Sequence, residues 1–292
     1  MIHYSQPLFR PPSEADNIIL QITHGCSYNA CTFCSMYETK VYEEKPLDEI
    51  YKDIDALARY YPNAHKIFLA DGDALAMNSE NLLKVLAYLH QKFKRLRRIS
   101  SYASVINLEQ KSQKELEELY KAGLKLIYFG IETASNELLK RIQKGTSFEK
   151  MKEALNKASC AGIKISATVI LGVGGKKYSR EHALKTAQLV NETTLQYLST
   201  LQLGLQQTKE EVFYRKFDEP FEWLNDKEML EEQLLFLENL HPNNAVIFRS
   251  NHASNAFALA GTLPKDKIRL IQELQYAIKD ERVLTPTWLR GF

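Results

Sequence analysis

Short apolar runs alternate along this chain with longer stretches of helical period, a pattern that predicts repeated strand-helix units. Six runs rich in β-branched and aromatic residues read as strands: NIILQIT (17–23), KIFLAD (66–71), ISSYAS (99–104), LKLIYFGIE (124–132), KISATVILG (164–172) and YLSTLQLGLQ (197–206). Between the first two, PLDEIYKDIDALARYY sets Leu47, Ile50, Ile54, Leu57 and Tyr61 on one helical face, and Pro46 suits a first turn. SENLLKVLAYLHQKF, SQKELEELYKAG, SFEKMKEALNKASCAG and SREHALKTAQLVNE share that period, and Gly123 and Gly162 stop two of them. Two more helical patterns, NDKEMLEEQLLFLENL and PKDKIRLIQELQYAIKD, flank the stretch AVIFRSNHASNAFALAGTLP.

This alternation predicts an α/β fold with a parallel sheet. Six units can close part-way into a barrel or open into a doubly wound sheet, and both arrangements put chemistry at the carboxyl ends of strands. The unusual positions gather there. A cysteine loop follows the first run and DGDA the second; Ser101 and Tyr102 lie along the third, Glu132 ends the fourth, GVGG follows the fifth, and Gln206 and Gln207 follow the sixth.

Composition adds bounds. With 292 residues, 45% hydrophobic and 25% charged, the chain has the makeup of a compact globular protein, and one domain is the starting expectation. No signal-peptide-like start and no long apolar run is visible, so a cytoplasmic setting is expected, without a membrane partner. A net charge of +2 supplies no strong field toward nucleic acid, which is not an expected partner. The basic run KFKRLRR (92–98) reads as a solvated helix end, and Cys160 reads as a small residue packed inside.

The remaining three cysteines stand together in GCSYNACTFC, as Cys26, Cys31 and Cys34, with C-x4-C-x2-C spacing. In a reducing compartment such a cluster points to metal. Zinc with His24 as a further ligand is one reading, although the spacing fits zinc knuckles and ribbons poorly. An electron-carrying cluster normally takes four cysteines, and Cys160 is the only spare. A 4Fe-4S cluster held by three thiolates, with one iron open to a ligand, is the remaining solution.

Here the segment resembles the cluster loop of the radical S-adenosylmethionine superfamily, in its Elp3-like and methylthiotransferase-like branch. This loop carries one residue more than the usual C-x3-C-x2-C. The resemblance implies that Cys26, Cys31 and Cys34 hold the cluster and that Phe33 meets the cofactor's adenine. It implies that DGD, Asp71, Gly72 and Asp73, stands where a Gly-Gly-Glu-like motif receives the methionyl amino group. GIETASNELLKRIQKG (130–145) is similar to the fourth-strand segment, with Glu132 at the cofactor and Arg141 or Lys144 toward its carboxylate. VILGVGG is similar to the fifth-strand glycine motif, which assigns Leu171 and Gly172 to the adenine, and Ser101 is carried as a further cofactor contact.

The fold so implied is a partial (β/α)6 TIM-like barrel over residues 17–206, preceded by an extension (1–16) and followed by a helical extension (207–292) that completes or caps it. The implied activity is reductive cleavage of S-adenosylmethionine to a 5'-deoxyadenosyl radical that takes hydrogen from a small-molecule or peptide substrate. A reducing partner such as flavodoxin or ferredoxin would supply the electron. Arg249, Asn251 and His252 are the candidates for contact with substrate, and His24 for a hydrogen bond to the cluster. Auxiliary clusters and a cobalamin module are not expected. Competing readings are a non-catalytic zinc or iron-sulfur protein, a zinc hydrolase with Asp71 or Asp73 as base, and a sensor that only binds the cofactor.

Overall fold

The computed structural model describes residues 2–217 and 219–291. In chain order its elements are β1 (Ile18–Gln21), β2 (Thr23–His24), β3 (Glu43–Glu44), α1 (Leu47–Tyr60), β4 (Lys66–Ala70), α2 (Ser79–Lys92), β5 (Arg98–Ala103), α3 (Val105–Gln110), α4 (Gln113–Lys121) and β6 (Leu124–Glu132). Then come α5 (Asn136–Arg141), α6 (Phe148–Cys160), β7 (Lys164–Leu171), α7 (Gly175–Asn191), β8 (Tyr197–Gln202), α8 (Gln207–Tyr214), α9 (Asp226–Glu238), β9 (Val246–Ser250), β10 (Leu259–Leu263) and α10 (Lys267–Lys279). One eight-stranded sheet runs in the order β1-β4-β5-β6-β7-β8-β9-β10. Its strands pair in parallel from β1 to β6 and from β7 to β9, and β10 returns antiparallel to β9. The expected α/β class with a mostly parallel sheet is therefore the fold observed.

The chain divides into two compact units. The first comprises Met1–Asn29, Met36–Phe129 and Lys157–Ile165. In it β4 is buried over Ile67, Phe68, Leu69 and Ala70, the continuous apolar reading of a parallel strand covered on both faces. Ile50, Ile54 and Leu57 of α1 and Leu82, Val85, Leu86 and Leu89 of α2 are buried as their helical period requires. Tyr61 departs from the expectation: it follows the last turn of α1 and is 56% exposed. A fully buried carboxylate, Glu14, ties the N-terminal segment down by accepting from Arg98 (2.8 Å), the Ser100 hydroxyl (2.9 Å) and the Tyr128 hydroxyl (2.6 Å).

The second unit comprises Ala30–Ser35, Gly130–Asn156 and Ser166–Phe292. Its strands β7 and β8 pair from Ser166 with Tyr197 to Leu171 with Gln202. Strands β9 and β10 did not stand out in the sequence, because the polar RSNHASN between them hid an alternating strand, Val246, Phe248 and Ser250 inward and Ile247 and Arg249 outward. The sixth strand ends at Gln202, four residues before the sequence pattern suggested, and Gln206 is the N-cap of α8 (Gln207–Tyr214).

Cys160 is exposed, not packed inside. The buried face of α6 is set by Met151, Ala154, Leu155 and Ala158, and Cys160, two residues past Ala158, points about 200° away from it. In KFKRLRR only Lys92 belongs to the helix; Lys94, Arg95 and Arg97 are exposed beyond it.

Candidate active site

In the first unit, two buried aspartates hold the backbone on either side of Cys26. Asp71, at the end of β4, accepts through one oxygen from the Gly25 amide (3.1 Å), the Gln21 side-chain amide (3.1 Å) and the Lys40 ammonium (2.7 Å). Asp73 accepts from the Ser27 amide at 3.2 Å and from the Ser27 hydroxyl. Burial pushes the Asp73 carboxyl up, while Ser27, Asn107 and Lys111 pull it back. The amides before and after Cys26 are thus fixed by carboxylates, and Lys40 answers the Asp71 charge, as a buried ion requires.

Two glycines make this possible. Gly25 has φ +70°, and a Cβ there would stand 3.1 Å from the Val41 carbonyl oxygen. A Cβ on Gly72 would lie 2.2 Å from the ring of Tyr37, which is buried against this backbone and meets Phe9 edge-on. Ser101 is buried in β5 with its hydroxyl donating to the Tyr102 carbonyl at 3.0 Å. His24 faces Glu43 across the β2-β3 pair at 4.0 Å.

In the second unit, Cys31 and Cys34 close a turn, with the Cys34 amide donating to the Cys31 carbonyl at 3.3 Å. The Thr32 amide donates to the Ile142 carbonyl at 3.0 Å, and Phe33 packs against the cluster of Leu138, Ile142, Ile170, Val173, Leu203, Phe213 and Phe217. Lys144 reaches the same place: its ammonium lies 2.9 Å from Glu132 and 5.8 Å from the centre of the Phe33 ring. Burial alone would pull this ammonium down, yet the Glu132 carboxylate and the Cys31 and Cys34 thiols hold it well above the usual lysine range. Glu132 itself has φ +59°, a left-handed backbone that costs a non-glycine residue energy and often marks a functional position. This turn folds the carboxylate back over Gly130, where a Cβ would stand 2.0 Å from Glu132 Oε1.

Arg141 goes elsewhere. Its guanidinium lies over the rings of Tyr178 (5.2 Å) and Phe217 (5.5 Å), pairs with Glu137 and donates to the Lys216 carbonyl. Leu171 is buried at the end of β7, and Gly172, with φ +76°, donates its amide to Glu232 at 2.7 Å. Arg249, Asn251 and His252 are exposed, whereas Ser254 and Asn255 beside them are buried and accept from the Gln202 amide. His252 Nδ1 accepts from the Ser254 amide at 3.2 Å.

Lys40, Ser27 and Glu232 escaped the sequence reading. A single lysine fourteen places after Cys26 carries no local signal. Glu232 did carry one: it stands at an inward position of α9, three residues after Met229 and four before Phe236, both buried.

A family profile described as the radical SAM superfamily matches residues 20–190, more than half of the chain. The chain belongs to the radical SAM superfamily. Among curated relatives it is similar to the heme chaperone HemW of Bacillus subtilis, 26% identical over 172 residues, covering 54% of this chain and 43% of that protein. It is also similar to 4'-phospho-dehydrooxetanocin synthase of Priestia megaterium, 27% identical over 172 residues, covering 53% of this chain and 23% of that protein. The chain spans less than half the length of these relatives. In structure it is similar to coproporphyrinogen III oxidase from Escherichia coli, described as a radical SAM enzyme, with TM-score 0.57 and 17% identity over 76% of this chain and 52% of that one. That likeness bears on the fold.

Members of the superfamily are enzymes that use a 4Fe-4S cluster and S-adenosylmethionine, and these are the cofactors of this chain. The donors present suit such a cluster. Cys26, Cys31 and Cys34 are each partly exposed, on a segment with neither helix nor regular strand between Gly25 and Tyr42. Among the described residues, no three thiol, imidazole or carboxylate groups form a ready chelate for a single ion. No helix among them is long and apolar enough to cross a membrane.

Proposed function

We propose that this protein is a radical SAM enzyme that abstracts hydrogen from a small-molecule or peptide substrate, working in the cytoplasm with an external reductant such as flavodoxin or ferredoxin. The observation that supports this reading most is Lys144, a nearly buried cation between the Glu132 carboxylate and the thiols of Cys31 and Cys34. When bound, the cluster and S-adenosylmethionine supply the one-electron cleavage that yields methionine and the 5'-deoxyadenosyl radical.

The chain's own residues would bind and orient. Cys26, Cys31 and Cys34 would hold the iron. Lys144 would offer its ammonium to the methionyl carboxylate, and Glu132 would keep that ammonium charged and aimed. Asp71 and Asp73 would set the backbone path around Cys26, and with Gly72 they stand nearest in sequence to the place of the amino group. Phe33, Leu171 and Gly172 would form the apolar contact with adenine, Ser101 would line the same face, and Arg141 would hold the Tyr178 and Phe217 rings behind it. Arg249, Asn251 and His252 would contact a polar substrate.

The test is anaerobic iron-sulfur reconstitution followed by dithionite and S-adenosylmethionine, with 5'-deoxyadenosine and methionine measured in equal amounts. Their formation by the native protein, and its loss in Cys31→Ala, supports the reading. A fully loaded protein that leaves S-adenosylmethionine intact overturns it.

A further inference from the structure

Glu232 sits on α9, outside the segment that the superfamily profile matches. Its carboxylate is 2% exposed and accepts the Gly172 amide at 2.7 Å. Gly172 cannot easily be replaced, because its φ of +76° is strained for any L side chain; a Cβ there would also meet the flexible Met229 methyl at 2.6 Å, one helical turn before Glu232 on the same helix. The α9 helix therefore both crowds and holds the first residue of the Gly172–Gly175 turn.

A second contact leads from the same carboxylate to the end of β6. His182 Nε2 on α7 faces Glu232 Oε1 at 3.7 Å, and His182 Nδ1 pairs with the Thr133 hydroxyl at 2.9 Å. Thr133 directly follows Glu132, and its hydroxyl also accepts the Ser135 amide at 3.2 Å, while the Ala134 amide donates to Thr186 of α7 at 3.1 Å. Buried polar groups thus lead from the Gly172 amide, hydrogen-bonded to Glu232, across a 3.7 Å approach that is too long for a hydrogen bond, to His182, which pairs with the residue after Glu132. Buried polar groups are costly unless satisfied, and a chain of them fixes its members in one arrangement.

We propose that Glu232, with His182 beside it, is a positioning residue for S-adenosylmethionine: it fixes the Gly172 turn and joins it to the strand end that carries Glu132. This rests on the reading of Gly172 and Glu132 as cofactor contacts. Among the described residues, the groups facing Glu232 are the Gly172 amide just after β7 and His182 and Ser179 from α7, with no cation to answer its charge. Burial accordingly pushes its carboxyl up to about 7, against the pull of the Gly172 amide and the Ser179 hydroxyl. Burial also drives His182 down to about 4, so its ring stays neutral as Glu232 titrates. An ionised carboxylate accepts the Gly172 amide more strongly than a neutral one, so the hold tightens as pH rises through about 7.

Two readouts test this. Hydrogen exchange of the peptide spanning 170–176 reports the turn in protein without cofactors, and equilibrium binding of S-adenosylmethionine to iron-loaded protein reports its consequence. Glu232→Leu, which removes the acceptor but keeps the volume, should lose about tenfold of that peptide's protection and weaken binding about tenfold. At saturating cofactor, 5'-deoxyadenosine formation should fall by less than about twofold, since the loss is one of positioning. Glu232→Gln, which keeps an acceptor, should bind within about threefold of native protein and lose the rise in affinity between about pH 6 and 8.

Unchanged protection and binding in a folded Glu232→Leu protein overturns the proposal, as does a Glu232→Gln protein with the native pH profile. Should native, iron-loaded protein bind no S-adenosylmethionine while Glu232→Leu still frees the turn, the functional reading fails and the ligand fails with it. Should native protein bind it and Glu232→Leu bind equally well, only the positioning role fails.

Discussion

Of the buried carboxylates that hold backbone amides, Asp71 in the first compact unit and Glu232 in the second are treated oppositely. Asp71 fixes the Gly25 amide next to Cys26 with Lys40 at 2.7 Å to balance it. Glu232 fixes the Gly172 amide with a neutral histidine for company. A carboxylate paired with a cation can anchor backbone without leaving an uncompensated buried charge, which suits a fixed loop. An unbalanced one sits near its own midpoint, so the grip on Gly172 depends on pH.

The largest effect on this contrast comes from what the anchors serve. Replacing Cys26, Cys31 or Cys34 by alanine should abolish 5'-deoxyadenosine formation and most iron binding, measured on reconstituted protein. An active Cys26→Ala protein would mean that the Asp71 and Asp73 anchors serve something other than a cluster ligand.

Next is the balance itself. Lys40→Met strands the Asp71 carboxylate, whose side chain is fully buried, and should cost about 3–5 kcal/mol in urea unfolding. Adding Asp71→Asn should recover much of it, and a loss under about 1 kcal/mol would show that Lys40 is not the counter-charge. Lys144→Met should raise the KM for S-adenosylmethionine by about tenfold or more, through loss of a charge-assisted contact.

The Glu232 side of the comparison is sharpened by pH. Its folded-state carboxyl, at about 7, lies above its ordinary 4.5, so the proton favours the folded state. That contribution is complete below about pH 4.5 and is lost as pH rises through about 7. Glu232→Gln does not titrate, so its stability advantage over native protein should grow from near zero below about pH 4 to at most about 3 kcal/mol above about pH 8. A constant difference across that range would count against the unbalanced carboxylate. The smallest effect is expected at Cys160: exposed on α6, it should be alkylated readily in native protein, and Cys160→Ala should leave iron content unchanged.

Much of this could be read from the chain because local signals and the fold agree. LKLIYFGIE is β6 to the residue, and KIFLA is β4, since parallel strands covered on both faces write themselves as apolar runs. The cysteine loop, DGD, IET and GVGG drew notice because they follow apolar runs, at the strand ends where an α/β fold places its unusual polar and glycine positions. What escaped depends on distant partners. Nothing near Lys40 in sequence announces Asp71, and β9 hid its alternation under Arg249 and Ser250. Cys160 was misread from residue type, when the phase of Met151, Leu155 and Ala158 already turned it outward. The same phase argument marks Glu232 as a carboxylate facing inward.

The account depends most on three thiolates leaving one iron free to take S-adenosylmethionine. Its direct measurement is the electron paramagnetic resonance spectrum of anaerobic, iron-loaded, reduced protein before and after that compound is added. The account predicts a changed signal in native protein. An identical spectrum with and without the compound, in protein carrying a full cluster, would contradict it.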